Sequence, residues 1–592
     1  MDERDVVMRT HRANEITVGE IGQKVAIAGW VQRRRDHGGI AFLDIRDATG
    51  IVQVVADPED HEAVSDIKME FCVSVAGTVR SRPEGTENPD LPTGQIEIGA
   101  EEIVVLSAAG TLPFMIDDRV EVDERVRLQY RYLDLRRPRM AANLKARSGA
   151  TAAIRRTLDQ AGFLEVETPT LINSTPEGAR DVLVPSRLRT GEFYALPQSP
   201  QLFKQLLMIS GVERYFQIAR CYRDEDFRSD RQLEFTQLDL EGAFWDRDDV
   251  LDVIESVLVA VARELRGVDV PRPFPHLTWH EAMNRYGSDK PDIRFGMEIV
   301  DLSLVFAESG FGVFKGAIEA GGTVRGINAG TREWSRSRAD ALTERAKELG
   351  AKGLVWMVVE DDGSLRSPIA KFLNDAELEG IKQAFSAKPG DILLLAADTW
   401  KTAVTVLGSL RLDLGRPANH DDLEFLWVVD FPLFEEGDDG SITFSHHPFT
   451  SPKSLDDMRE RPREAISNAY DAVLNGIELG SGSVRIHDPD VQRQVFDILG
   501  IEPDTAEKRF GWFLEALRYG TPPHAGFAFG VDRLVMALQN ESSIREVIPF
   551  PKTQTGLDPM TGAPTWVDDE QLEELGIELT PDSEARRKES EA

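Results

Sequence analysis

Between Gln217 and Asp226, and again between Glu234 and Asp239, charged and amide side chains stand at alternate positions among apolar ones: Gln217-Ile218-Ala219-Arg220-Cys221-Tyr222-Arg223-Asp224-Glu225-Asp226 and Glu234-Phe235-Thr236-Gln237-Leu238-Asp239. Successive side chains of a strand point to opposite faces, so the two segments predict strands that present one polar row to a single face, with a polar loop between them. A solvated face is the ordinary source of such a row. Arg223, Glu225, Gln237 and Asp239, however, have apolar neighbours, where unpaired charge is costly unless a ligand or mutual pairing satisfies it.

The chain has 592 residues, enough for about four folding units at roughly 150 residues each. Its longest apolar runs, such as Ile103 to Leu106 and Ile392 to Ala397, are too short to span a bilayer, so no membrane association is expected. The start, Met1-Asp2-Glu3-Arg4-Asp5, lacks the basic and apolar regions of a secretory signal. Two cysteines, Cys72 and Cys221, define neither a disulfide framework nor a zinc site, and a cytoplasmic location is expected. The net charge of -34 argues against nucleic-acid binding unless basic groups are local, as in the run Arg33-Arg34-Arg35 beside Gly38-Gly39.

The spacing predicts short strands over Val25–Gln32, Ile40–Asp47, Ile51–Ala56, Phe71–Arg80 and Ile96–Leu106, with a helical insertion over Asp60–Lys68. Five strands fit an OB-fold β-barrel, a fold that often binds single-stranded nucleic acid, or another small barrel. We read residues 1–108 as this domain and 109–140 as a polar hinge. Asn143–Gln160 has the spacing of an amphipathic helix. Irregular alternation of strands and helices predicts an α+β domain on a largely antiparallel sheet, in two parts, 141–284 and 422–555. Between them, 285–421 reads as an inserted α+β domain, with elements at Ser337–Leu349, Leu354–Glu360 and Lys371–Phe385. Residues 556–592 form a C-terminal extension whose end, Ser583–Ala592, is expected to be disordered.

Two further stretches accompany the polar strands. One is Phe163-Leu164-Glu165-Val166-Glu167-Thr168-Pro169, followed by Thr175-Pro176-Glu177-Gly178-Ala179-Arg180-Asp181; alone it is a strand ended by proline. The other, Gly526-Phe527-Ala528-Phe529-Gly530-Val531-Asp532-Arg533-Leu534, is an apolar strand entering a helix with Arg533 near its start, where a phosphate or a base can be bound. In this order the three stretches resemble motifs 1, 2 and 3 of class II aminoacyl-tRNA synthetases. Ser199-Pro200-Gln201-Leu202-Phe203-Lys204-Gln205, Phe444-Ser445-His446-His447-Pro448-Phe449-Thr450 and Glu478-Leu479-Gly480-Ser481-Gly482-Ser483-Val484-Arg485-Ile486-His487 are similar to signatures of the bacterial aspartyl-tRNA synthetases. The resemblance covers nearly the whole chain and thins beyond Pro551-Lys552-Thr553.

The resemblance implies activation of L-aspartate with ATP and Mg2+, then transfer to tRNA, by a homodimer. It implies that Arg223, Glu478 and Arg533 carry the chemistry, with Arg223 bridging the substrate carboxylate and the α-phosphate. It places ATP on Arg223, Asp224, Glu225, Gln232, Phe235, Glu478, Gly530, Val531, Asp532 and Arg533, with the adenine between Phe235 and Arg533. Aspartate falls to Glu177, Gln201, Lys204, Arg223, Gln237, Asp239, His446, His447 and Arg485, with Lys204 and Arg485 on its side-chain carboxylate, and Mg2+ to Asp471 and Glu478. Taken without the resemblance, His446-His447 reads as a polar loop or a partial metal site, and Asp471 and Glu478 as surface acids.

Asparaginyl and lysyl enzymes share the barrel and the three motifs. Two cations in the pocket argue against a neutral amide and against a lysine substrate. A non-catalytic nucleic-acid-binding paralogue remains as an alternative, and would be expected to lack some of Arg223, Glu478 and Arg533. In the barrel the resemblance places Phe42 and Gln53 on the middle anticodon base. His37 and Gly85 are similar to the residues of relaxed enzymes, which charge tRNA(Asn) as well as tRNA(Asp). A strictly discriminating enzyme, with loop drift at these positions, is the other reading.

Overall fold

The structure, a computed structural model, describes residues 8–57, 59, 62–174, 179–417, 421–437 and 439–591. The chain divides into two compact units, Met1–Pro138 and Arg139–Ala592.

In the first unit, strands Lys24–His37, Ile40–Arg46, Ile51–Ala56, Cys72–Ser81 and Ile96–Ser107 close into a barrel in the order first, second, third, fifth, fourth. Alternation sends Val25, Ile27, Leu43, Ile45, Val52, Val54, Val73 and Val75 into its core. The first strand runs five residues past its expected end at Gln32, because Arg33 to His37 pair with Asp44 back to Ile40 across the two-residue loop Gly38–Gly39. Positive φ at both glycines (60° and 84°) gives that loop the twist a tight hairpin needs. Pairing also splits the basic run. Arg34 donates to the backbone carbonyls of Val64, Ser65 and Ile67, leaving Arg33 and Arg35 on the other face. Where a helix was expected over Asp60–Lys68, the described residues form a 3-10 turn, Glu62–Asp66, since one turn suffices to bring Val64 and Ile67 into the core. Asp60 lies outside the described residues.

The segment expected to be a polar hinge is folded. Helices Glu124–Gln129 and Arg131–Asp134 bring Leu133 against Phe114 and Ile116, and buried Asp134 accepts from Arg131 Nη1 (2.6 Å) and Arg127 Nε (3.0 Å). Arg136 donates to Glu70 at 2.9 Å and lies 4.8 Å from the centre of the Trp30 ring, which fastens the segment to the barrel.

The second unit is built on eight strands in the order His276–Thr278, Phe425–Val429, Ala469–Leu474, Ile477–Val484, His524–Gly530, Glu234–Ala243, Arg214–Tyr222, Leu164–Glu165. Interior pairings are antiparallel and the two edge pairings parallel. Helix Arg247–Arg266 starts at Asp246, whose carboxylate accepts from the amides of Asp248 and Asp249, and ends at the left-handed Gly267. Its stripe Val250, Ile254, Val257, Leu258 and Val261 shares one core with Leu238, Leu240, Trp427, Phe527 and Phe529 of the sheet. Because Leu238 and Leu240 join that core, Gln237, Asp239 and Glu241 point to the opposite face.

Within 285–421, strands Val300–Asp301, Thr323–Thr331, Asp391–Asp398, Val355–Val359 and Leu365–Arg366 form an antiparallel sheet in that order. The helix expected over Lys371–Phe385 begins at Asp375, because Asn374 and Glu377 cap it reciprocally. Ser583 to Glu591, expected to be disordered, lie in helix Pro581–Glu591, where Arg587 pairs with Asp569 and Trp566 Nε1 donates to Ser590 Oγ at 2.8 Å. Ala592 is outside the described residues. No described helix is long and apolar enough to cross a membrane.

Candidate active site

A cavity of about 840 Å³ opens over the face of the large sheet to which Gln237 and Asp239 point. One end of it is a buried charge cluster. Lys204, on helix Gln201–Ile209, donates to Asp239 at 3.1 Å and lies 3.3 Å from Glu241. Arg485, just beyond strand Ile477–Val484, donates through Nε (2.9 Å) and Nη2 (3.2 Å) to Glu241 and through Nη1 to Ser483 Oγ (2.8 Å). Of the five guanidinium N–H groups, three are engaged in these bonds, so Glu241 holds one edge of the fork and leaves another for a carboxylate.

Glu241 changes the expected electrostatics. Lys204 and Arg485 are not a free cationic pair, since Asp239 and Glu241 match them charge for charge. What this end of the cavity offers a ligand is therefore a set of oriented N–H donors and not surplus positive charge. Burial pushes Asp239 above the ordinary carboxylate range, with Lys204 only partly offsetting it. Burial acts the same way on Glu241, but Arg485 and Lys204 together hold its carboxyl below the usual value.

Gln237 accepts from the buried Cys221 thiol at 3.3 Å, and Gln201 donates to Gln205 at 3.1 Å. His447 accepts from the Phe449 amide; burial, with Arg485 and Lys204 nearby, drives its pKa well below the usual histidine value. His446 Nε2 lies 3.1 Å from Asp471; burial opposes its protonation, but Asp471, reinforced by Glu478 and Glu435, raises its pKa. Arg223 Nε, Asp239 Oδ2, His446 Nδ1 and His447 Nε2 are buried without a hydrogen-bond partner, and all four residues line the one cavity. Buried polar atoms normally have partners, so a convergence of orphans marks a ligand site. Glu177 lies outside the described residues.

At the other end of the cavity, Arg223 sits 5.2 Å from the Phe235 ring centre and 3.9 Å from Glu225, which accepts from Arg231. Arg533, from helix Val531–Leu538, donates to the Glu478 carbonyl at 2.9 Å and to Asp230 at 3.3 Å. Gln232 is closed on the Lys552 backbone by two bonds, donating at 3.1 Å and accepting at 2.9 Å. Gly530 lines the cavity as the residue before the helix. Three further residues expected at the nucleotide have side chains with partners or packing within the protein. Asp224 pairs with Arg180 away from the cavity lining, and Val531 is buried in the main core. Asp532 lines the cavity, but its carboxylate accepts from the Thr236 amide (2.7 Å) and pairs with Arg147, tying the helix start to a strand.

Asp471 and Glu478 fit a divalent cation. Burial pushes Asp471 up to about 6, partly offset by His446 and reinforced by the Glu478 charge, and this mutual repulsion is what a cation would relieve. Among the described residues no group of three or more acidic, His or Cys side chains is arranged to hold a metal, as suits Mg2+, which takes one or two carboxylates and completes its shell with phosphate and water. Glu241 escaped the sequence analysis although it continues the row of Gln237 and Asp239 by one further step of two. Lys290 and Arg416, which also line the cavity, carry no such local signal.

On the barrel, Arg35 donates to Asp44 (2.9 Å) and Gln53 (3.0 Å), Gln53 donates to Glu97 (2.9 Å), and buried Arg82 keeps Nη2 unpartnered. Phe42 pairs with Val55 and lies opposite Arg35. His37 is exposed at the hairpin end and Gly85 exposed in the turn after Pro83, with φ at 81°.

An eight-stranded, largely antiparallel sheet with this cavity, in a chain that also carries a five-stranded barrel, defines a class II synthetase. The class II tRNA synthetase (D, K and N) family matches residues 123–554, and the OB-fold nucleic acid binding domain matches 25–106. The chain belongs to the D, K and N class II tRNA synthetases, and is an ATP-using aminoacyl-tRNA ligase. Within them it is 54% identical over 582 residues to the aspartate–tRNA(Asp/Asn) ligase of Moorella thermoacetica, covering 97% of each chain. It is 51% identical to the enzyme of the same name from Salinispora tropica, over 98% of this chain and 97% of that one. The asparaginyl-tRNA synthetase of Pyrococcus horikoshii, solved with asparaginyl-adenylate, shares the fold at a TM-score of 0.58 and 21% identity, over 92% of this chain and 98% of that one.

Proposed function

We propose that the protein joins L-aspartate to tRNA(Asp) and tRNA(Asn) through an aspartyl-adenylate. The observation that carries the substrate is the Glu241-held fork of Arg485 beside Lys204, an edge of N–H donors in a cavity whose wall carries four unpartnered polar atoms. The adenine lies between Phe235 and Arg533. Arg223 draws the attacking carboxylate and the α-phosphate together, offsetting the repulsion of two anions so that positioning lowers the barrier. His446, His447, Gln201 and Gln237 close around the amino acid. Asp471 and Glu478 would hold Mg2+, which would screen the phosphates of ATP. The exposed edge strand Leu164–Glu165, with Leu164 57% and Leu171 52% exposed, supports a homodimer through motif 1, and a role in tRNA charging supports a cytoplasmic location. On the barrel, His37 and Gly85 admit either anticodon, and Phe42 and Gln53 take the middle base that both share. The relatives named for both tRNAs support this reading.

Pyrophosphate exchange with aspartate, asparagine and lysine tests the substrate. Exchange with aspartate alone is expected. Arg485→Leu should remove most of it while ATP still binds, since losing a buried charge-assisted pair costs about 2 to 5 kcal/mol. Near-normal kcat/KM for aspartate in this variant would make the pocket assignment wrong.

A further inference from the structure

The inserted segment is wired into the cavity at both of its ends. On entry, after helix Trp279–Tyr286, Lys290 reaches Glu478, its Nζ 3.5 Å from Oε2; on exit, after helix Trp400–Gly415, Arg416 donates to the Asn475 carbonyl at 3.2 Å. Asn475 and Gly476 form the two-residue turn joining strands Ala469–Leu474 and Ile477–Val484, with φ of 52° and 83°, and Glu478 follows at once. Asp292 steadies Arg416 from below at 3.7 Å. Lys290, Arg416 and Glu478 line the same cavity as Arg223 and Arg533. Arg533 donates to the Glu478 carbonyl, so the path from the adenine end runs through Glu478 to Lys290 without a break. Arg223 lies 3.9 Å from Glu225 and Arg533 3.3 Å from Asp230, and three linked phosphates carry more charge than these two arginines can offset. Lys290 is half-exposed and meets Glu478 only at the outer limit of a hydrogen bond.

We propose that Lys290 and Arg416, one from each end of the inserted segment, bind the β,γ-diphosphate of ATP and the pyrophosphate that leaves. This rests on the reading that the cavity holds ATP. Equilibrium binding of ATP and of AMP to Lys290→Met and Arg416→Met, with the KM for pyrophosphate in the exchange reaction, tests it. Each substitution should weaken ATP at least tenfold and raise the pyrophosphate KM by a similar factor, with AMP affinity and aspartate KM within twofold of wild type. Lys290→Arg should restore most of the ATP affinity. Equal weakening of ATP and AMP, or no change in either, overturns the proposal. Wild-type protein that binds ATP but shows no aspartate-dependent exchange would sink the substrate reading alone, since the ATP-to-AMP comparison still decides the proposal. Wild-type protein that binds neither nucleotide would overturn both.

Discussion

Glu241 is fully buried, continues the alternation that begins at Gln237, and touches both cations of the amino-acid pocket. Its carboxylate accepts two bonds from one edge of Arg485, and that grip sets the direction of the remaining edge. Glu241→Gln keeps the shape but replaces one acceptor with an NH2 donor, which confronts an N–H of Arg485. We expect the aspartate KM to rise at least tenfold with ATP affinity unchanged. A KM that stays level or falls would show that Glu241 is a counter-charge only and that orientation comes from Ser483. The residue stands one step beyond Asp239 in the period-two pattern, where the row was not followed. Its partners were not legible there, because alternation fixes the face on which a side chain stands but not which of several cations on distant segments it meets.

Gly526, at the strand position opposite Glu241, shows how closely the elements around the pocket approach one another. A Cβ there would lie 1.8 Å from Glu241 Oε2 and 2.5 Å from the Leu240 carbonyl. Gly526→Ala should therefore cost about 1 to 3 kcal/mol in urea unfolding and raise the aspartate KM more than the ATP KM. Wild-type stability and an unchanged KM would mean that the strands separate without disturbing Glu241. At this scale the sequence marked the five strands of the barrel and four of the eight in the large sheet, and passed over strands such as Phe425–Val429 and Ala469–Leu474, which are buried on both faces and show no alternation. It misplaced helix starts such as Asp375, where a local cap outweighs apolar spacing, and missed the ordering of the tail, which depends on Arg587 meeting Asp569 and Trp566 meeting Ser590. Asp224, Val531 and Asp532 stood within recognisable motifs, but the bracing and packing of their side chains, such as Asp532 on the Thr236 amide, carry no signal in a motif.

For the whole molecule, the proposed function gives the barrel, which matches a nucleic acid binding domain, the part of deciding which tRNAs are charged. His37 and Gly85 are both exposed, and no atom of the described residues lies within 4 Å of a Cβ built on Gly85; on the proposed function this is the face that meets the anticodon. With purified tRNA(Asp) and tRNA(Asn) at one salt concentration, we expect aspartylation rates within about a hundredfold of each other, and His37→Leu should widen the gap. A preference for tRNA(Asp) above about a thousandfold, unmoved by that substitution, would show that the hairpin end does not set specificity. The folded segment after the barrel bears on how such a recognition module could be exchanged between enzymes. Cut after residue 108, a transplanted barrel would leave behind Arg136 and strip Glu70 of one of its two arginine partners, Arg46 and Arg136. Cut at Pro138, where the first unit ends, the graft carries the pair intact, and the natural cassette is some thirty residues longer than the barrel itself.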